Sequence, residues 1–378
     1  MRGSTRKRGR TWTALWSTTD PASGKRVQHS KGGFRTQRDA QAHLNSLLPR
    51  VDAGTYTPDS RVTVERLLVD HWLPSKKAEG CRPATLSLYR RTVEQWVVPH
   101  VGAVEARSLT PATVAALVET LSAAGKRDGK SGLSPRSIQI TVGVLKASTA
   151  WALRSGLLGR DPLAGYRRPR AQSPTMSAWD VSEAREFLSA VMEDRMAFAY
   201  ALLLTRGLRR GELCGLKWSD VDLDLGVLRI VRTRILVDGR PAESLPKTAA
   251  GRRTIPLDTH LVTLLRKHRT RQAQEKLAAG EAYSDEGWLV ADELGNPYYP
   301  DTISEWFDDH SRAAGLRRIR LHDTRHTAAS LMLAEGVPVK VVADMLGHDP
   351  RTTLSTYAHV IPGMGGQAGA ALSAALLG

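Results

Sequence analysis

Apolar positions along this chain keep two different periods, and the period changes with position. Near the N terminus, WTALWSTTD and KRVQHSKGGF are short strand-like runs parted by a turn rich in Asp, Pro and Gly, from Asp20 to Gly24. TQRDAQAHLNSLLPRV then takes up helical spacing, so residues 1–58 are predicted as a small module of three strands and a helix. From residue 61 to 160 a period near 3.6 dominates. Four helices are predicted, in TVERLLVDHWLPSKK, PATLSLYRRTVEQWVVPHV, TPATVAALVETLSAAG and SPRSIQITVGVLKASTAWALRSGLL. The third opens on Thr110 and Pro111 and the fourth on Ser134 and Pro135, each a side-chain cap followed by a first-turn proline.

YRRPRAQSPTMS, residues 166–177, is rich in Pro, Arg and Ser and reads as an extended linker. Beyond it MAFAYALLLTRG is an apolar helix that stops at Gly207. GVLRIVRTRILVDGRPAESLPKTAAGRRTIPLD alternates strand and turn: a strand from about Val227, a turn at Asp238–Gly239, then two more short strands. Helices return near residue 258, at 300–314 and beyond 322. The fold class is therefore mainly α with small β elements. Three modules are expected: a β-rich N-terminal module (1–58), a helical domain (61–165), and a mixed α/β domain (176–378) with a three-stranded hairpin region. The tail GMGGQAGAALSAALLG is small and apolar, a candidate for packing on its own chain or on a neighbour.

Charge narrows the partner. Lys and Arg number 54 against 38 Asp and Glu, a formal net charge of +16, which points to a polyanion. Four arginines and a lysine crowd the first ten residues, and aromatic residues follow among the charges, so DNA binding is expected of this module. No run of roughly 18 apolar residues occurs to span a bilayer, and no apolar signal core follows the basic start. A cytoplasmic protein on nucleic acid, with no membrane partner, is the expectation. Cys81 and Cys214 lie far apart with no second Cys or His nearby, against a disulfide framework or a cysteine zinc site.

The last two hundred residues hold the parts for cutting a phosphodiester and keeping hold of the strand. Fixed cations must meet the phosphate oxygens, a nucleophile must form a covalent bond, and the leaving oxygen needs a proton donor. GLRRGEL places Arg209 at the start of a helix. PKTAAGRRTIPL places Lys247 in the hairpin region, with Arg252 and Arg253 close behind. LHDTRH sets His322 and Arg325 three apart, on one helical face. LGH supplies His348, and Tyr357 follows nine residues later.

These boxes, in this order and at these intervals, resemble the tyrosine recombinase (phage integrase) family over residues 178–360. The family pattern is an Arg in G-L-R-x-x-E, a hairpin Lys, an H-x-x-R-H box, an L-G-H box and a Tyr shortly after. The preceding order, an arm-type module and then a helical core-binding (SAM-like) module, is similar to larger members. The resemblance implies that Tyr357 attacks the scissile phosphate to form a 3′-phosphotyrosine and free a 5′-hydroxyl. It implies that Arg209 and Arg325 bind the non-bridging oxygens and that Lys247 protonates the departing 5′-oxygen. His322 would bond the phosphate and assist with the nucleophile's proton, His348 would add a hydrogen bond, and Glu212 would orient its neighbours. It further implies site-specific recombination for integration and excision of a mobile element, with no metal, no ATP and no other cofactor. The implied partners are double-stranded DNA attachment sites, a homotetramer on DNA and an accessory directionality factor. One departure is Arg206, where the family more often has a small residue before the glycine.

Three other readings fit parts of the pattern. His322 and His326 are four apart, a zinc-binding spacing, but Asp323 stands where a metalloprotease has Glu and Arg325 would repel the cation. A non-catalytic DNA-binding regulator derived from an integrase matches the charge and the modules but leaves the catalytic boxes unexplained. A type IB topoisomerase shares the tyrosine and arginine chemistry but fits the L-G-H box and the two preceding modules less well. If the basic modules clamp DNA through phosphates, the logarithm of the affinity falls linearly with the logarithm of salt concentration. A titration of DNA binding from low to physiological salt checks this, and a flat response contradicts it.

Overall fold

The computed structural model describes residues 3–19, 26–52, 61–126, 130–169, 177–246, 249–357 and 375–377. Lys247 and most of the C-terminal tail lie outside them. The chain divides into two compact units, Met1–Gln172 and Ser173–Gly378, and helices dominate both.

The first unit holds two separate apolar cores. In one, strands Ser4–Arg8, Thr11–Thr19 and Arg26–Phe34 form an antiparallel sheet with Thr11–Thr19 in the centre. The helix Gln37–Asp52 follows. The backbone N–H of Asp39 donates to the Thr36 hydroxyl at 3.1 Å, and that of Thr36 donates to the Asp39 carboxylate at 3.2 Å, a reciprocal start that fixes the first turn. Ala40, Leu44, Leu47 and Val51, at helical spacing, bury against Ala14 and Trp16 of the central strand. The outer strands leave most of their side chains exposed, among them Arg6, Lys7 and Arg8.

The other core belongs to helices. Thr63, Thr110 and Ser134 each accept from the backbone N–H three residues on, and Pro111 and Pro135 sit in the first turns of Pro111–Ala124 and Pro135–Arg154. Val114, Leu117 and Leu121 on one helix, and Ile138, Val142 and Leu145 on the other, form the buried stripes that a 3.6 period demands. The two preceding helical stretches carry π segments, Leu67–Trp72 and Val93–Val97. Trp72 lies buried in this core with its ring 5.1 Å from that of Tyr89.

In the second unit, helices Val181–Ala190, Ala197–Arg206, Thr259–Ala279, Pro300–Ala313 and Asp323–Ala334 enclose the largest core. Trp179, Phe187, Tyr200 and Phe307 meet there with ring centroids 5.1 to 6.4 Å apart. The β region differs in connection from the single three-stranded hairpin expected. Strand Val227–Ile230 pairs with Val221–Asp222 on one side and with Arg253–Pro256 on the other. Strands Thr233–Val237 and Arg240–Ser244 form a separate hairpin. The break falls at Val231–Arg232, where the Arg232 guanidinium turns aside to the buried Asp220 carboxylate. Asp238 (φ 51°) and Gly239 (φ 77°) close the hairpin in the left-handed region that a tight two-residue turn requires.

His268, on the long helix Thr259–Ala279, is buried with its ring 4.1 Å from that of Phe198. One ring nitrogen meets the Leu289 carbonyl at 2.8 Å. Burial pushes its pKa down from 6.5 to about 4. The unfolded chain therefore takes up this proton first, and stability falls as pH drops from about 6.5 towards about 4. The single residue accounts for about 3 kcal/mol of that loss. Thermal unfolding of the second unit at neutral pH and at about pH 4 checks this. His268→Leu should lose less stability on acidification than wild type, and an equal loss contradicts the assignment.

Candidate active site

Three backbone segments are drawn together by two arginines. Helix Ala197–Arg206 ends at Gly207 with φ 62°, and a Cβ at Gly207 would lie 2.4 Å from the Leu346 side chain. Glycine is thus required twice, for the turn and for the close approach. Helix Val339–Leu346 ends the same way at Gly347, φ 64°, where a Cβ would meet the Ala250 carbonyl at 2.7 Å and Arg253 Nη1 at 3.1 Å. Arg325, in the first turn of Asp323–Ala334, is 1% exposed. Its Nη1 donates to the Gly207 carbonyl at 2.5 Å and its Nη2 to the Leu346 carbonyl. Arg253 donates from Nε to the Met345 carbonyl at 2.6 Å and from Nη1 to the Gly251 carbonyl at 3.2 Å.

Glu212 joins the same cluster from the helix Arg210–Leu213. Its buried carboxylate takes both Nη groups of Arg253, at 3.1 and 2.9 Å. It also accepts from Arg209 Nη1 at 2.7 Å and from the Arg209 backbone N–H at 2.9 Å. Burial alone would raise its pKa. The hydrogen bonds and charge of Arg253, then those of Arg209, overcome this and hold it at about 2. The neighbouring arginines have other duties. Arg206 donates to the Pro256 carbonyl at 2.9 Å and to Asp258 at 2.5 Å, and Arg210 donates to Asp301 at 2.6 Å and to Ser304 at 2.9 Å. Of the three arginines in the RGLRR string, Arg209 alone meets Glu212.

Positive charge exceeds negative here, since Arg209, Arg253 and Arg325 share the one carboxylate of Glu212. Burial first, then Arg209 and Arg253, lower the Arg325 pKa to about 9, while Glu212 opposes them. Burial, followed by Arg325, Arg209 and Arg253, lowers that of His348 to about 4, so its imidazole is neutral at neutral pH. Two buried polar atoms in the cluster, Arg325 Nε and His348 Nδ1, have no hydrogen-bond partner. The excess of guanidinium charge over carboxylate suits the cluster to an anion.

Tyr357 ends the helix Pro350–Tyr357 and is 1% exposed, packed with Ala329, Leu333, Val342 and Leu346. Burial pushes its phenol up to about 12, against the pull of Arg325. Its hydroxyl lies 2.6 Å from His326 Nδ1. The sequence reading paired the nucleophile's proton with His322, but the histidine on the phenol is His326. His322 stands edge-on to His326, ring centroids 5.6 Å apart. The structure thus groups Arg209, Arg325, His348 and Tyr357, with His322 beside them. Lys247 lies outside the described residues.

Two residues of the cluster, Arg253 and His326, were given no role in the recombinase site from the sequence. Arg253 followed a lysine in a loop, with no pattern to separate it from Arg252. His326 had a usable signal: it sits three and seven residues before Ala329 and Leu333, on the stripe against which Tyr357 packs.

Comparison with known proteins bears on the same segments. Residues 180–363 match the phage integrase family and residues 4–50 the arm DNA-binding domain. A tyrosine recombinase XerC-like protein of Caldanaerobacter subterraneus subsp. tengcongensis is 31% identical over 252 residues, covering 62% of this chain and 64% of that protein. The chain therefore spans just under two thirds of that relative. An integrase of Saccharopolyspora erythraea is 27% identical, with 79% of each chain covered. Among solved structures, the Tn1549 transposon integrase with transposon right-end DNA superposes with a TM-score of 0.65 at 18% identity, over 84% of this chain and 100% of that one. A lambda integrase dimer bound to a core site gives 0.57 at 20%, over 93% of each. At these identities the structures speak for the fold.

Glu212→Ala leaves two guanidinium groups without their carboxylate. Removing one partner of a buried ion pair costs about 3–5 kcal/mol. Urea unfolding of the second unit measures it, and a loss below about 1 kcal/mol would show that the arginines are held by their carbonyl contacts alone.

Proposed function

The chain belongs to the phage integrase family, and on that footing we propose that it is a site-specific DNA recombinase that cuts and rejoins DNA through a 3′-phosphotyrosine at Tyr357. The observation that carries the reading is the excess of guanidinium charge, two of its three groups buried, beside a tyrosine hydroxyl. Arg209, Arg253 and Arg325 face a single carboxylate, and Arg325 Nε and His348 Nδ1 have no hydrogen-bond partner. A phosphodiester brings one negative charge, and its transition state gathers more on the equatorial oxygens. Guanidinium forks positioned in advance, by Glu212 for Arg209 and by main-chain carbonyls for Arg325, suit that charge.

In this reading Arg209 and Arg325 bind the non-bridging oxygens, and His348 and His322 add hydrogen bonds. Lys247 protonates the departing 5′-oxygen. Glu212 orients Arg209 and takes no proton, since a carboxylate held near 2 stays ionised at neutral pH. The phosphotyrosine keeps the energy of the broken bond, so the rejoining step calls for neither ATP nor a metal ion.

The proposed division of labour is an arm-type DNA module in residues 1–58, a core-type module in 61–165 and catalysis in 176–378. The match of residues 4–50 to the arm DNA-binding domain supports the first. The substrate would be a pair of double-stranded attachment sites of a mobile element, exchanged in a homotetramer through a Holliday junction, with an accessory factor setting direction. A lambda integrase tetramer bound to a Holliday junction has this fold. No described helix is long and apolar enough to cross a membrane, and work on chromosomal DNA would place the protein in the cytoplasm.

The test mixes the protein with nicked DNA from the flanks of its own gene, in the presence of a metal chelator. Wild type should give a covalent protein–DNA band and Tyr357→Phe none. A band that persists in the variant moves the nucleophile elsewhere. DNA binding without a band on any fragment favours the regulator instead.

A further inference from the structure

We propose that His326 is a catalytic residue: it accepts the Tyr357 phenolic proton as the tyrosine attacks DNA and returns it when the strand is rejoined. The inference rests on the reading of Tyr357 as nucleophile and assigns the destination of its proton. Nδ1 of His326 is 2.6 Å from the Tyr357 hydroxyl, within range for direct transfer, with ring centroids 5.7 Å apart. His326 is fixed by its place on the Asp323–Ala334 helix, one residue after Arg325. The same short stretch of helix therefore carries a proposed phosphate ligand and the nucleophile's hydrogen-bond partner.

The surroundings suit a neutral imidazole. Burial, Arg325 and Arg320 lower the His326 pKa, and Asp323 opposes them. Arg320 clamps the Asp323 carboxylate, Nη2 to Oδ1 at 2.7 Å and Nε to Oδ2 at 2.9 Å. His322 and His348 also interact with the ring, and both are themselves held below their ordinary pKa. With the proton on Nε2, Nδ1 offers a lone pair to a phenol that burial keeps un-ionised. Such a phenol is a poor nucleophile until a base removes its proton during the attack.

The step balances. The Tyr357 Oη–phosphorus bond forms as the bond from phosphorus to the 5′-oxygen breaks. The phenolic proton passes to His326 Nδ1, and the 5′-oxygen takes its proton from a separate donor, Lys247 in the reading above. On rejoining, the 5′-hydroxyl attacks phosphorus, Oη leaves, and the imidazolium hands its proton back.

The experiment follows single-turnover formation of the covalent complex by the full chain on nicked DNA, from about pH 6 to pH 9. His326→Asn keeps an acceptor near the Nδ1 position but not its basicity. This variant should be slowed about 100-fold at neutral pH. Its rate should then climb about tenfold per pH unit, as hydroxide replaces the base, while wild type stays flat above neutrality. Fluorotyrosine at position 357, with its more acidic phenol, should recover part of the loss in His326→Asn and little in wild type. A uniform slowing at every pH, with no fluorotyrosine recovery, overturns the proposal in favour of a packing role; an unchanged rate overturns it outright. If the variant proves unfolded by its thermal transition, wild type decides. Its rate should fall on the acid side as His326 takes up a proton, and fluorotyrosine should weaken that fall; an acid limb unmoved by fluorotyrosine overturns the proposal. A wild type that forms no covalent complex at any pH removes the proposed function and this inference with it, a failure distinct from one confined to His326.

Discussion

The second unit is organised around a charge imbalance that the protein cannot relieve by itself. Arg209, Arg253 and Arg325 converge on one buried carboxylate, Glu212. Burial first, and then repulsion from Arg209 and Arg253, depresses the pKa of Arg325. Arg209 is held by Glu212, and Arg253 and Arg325 by a set of main-chain carbonyls, from Gly207, Gly251, Met345 and Leu346. Carbonyl dipoles offset part of each charge without cancelling it, so the cluster stays positive and ready for an anion. A second carboxylate would make the cluster more comfortable and the phosphate less welcome.

Much of this was readable in advance because it rests on local rules. Thr110–Pro111 and Ser134–Pro135 start helices for reasons of capping and fixed φ, and those reasons hold in any context. Gly207 ends its helix because a left-handed residue is wanted there. Arg209, Arg325, His348 and Tyr357 carried short motifs with fixed intervals, and the fold brings those four together. Long-range geometry was harder to see. Nothing in GRRTIP separates Arg253, which bonds Glu212 and Met345, from Arg252, which lines a different surface. The hairpin was legible from its Asp-Gly turn, but its separation from the neighbouring sheet depends on Arg232 finding Asp220. The pairing of His326 with Tyr357 needs the packing of two helices, which no local motif in the sequence specifies.

Tyr357 faces two opposing demands. As part of a small apolar cluster with Ala329, Leu333, Val342 and Leu346 it helps close the end of the unit. As the nucleophile proposed above it would have to present its oxygen to DNA. A ring kept in an apolar pocket with its hydroxyl on a histidine answers both, since the ring is packed while the oxygen stays oriented. The same burial keeps the phenol protonated.

The carbonyl contacts of Arg253 and Arg325 also govern how this site can change over generations. A main-chain oxygen is contributed by every amino acid alike, so the arginines are indifferent to which side chains stand at positions 251, 345 and 346. Position 345 can therefore drift under other pressures with little disturbance to the charged cluster, whereas Leu346 is constrained separately by its packing against Gly207 and Tyr357. Gly207 and Gly347 have no such freedom, because an added methyl group would collide with Leu346 in one case and with Arg253 and Ala250 in the other. Variation in a population of such chains should therefore be patchy on the scale of single residues, with fixed glycines and arginines set directly beside tolerant neighbours.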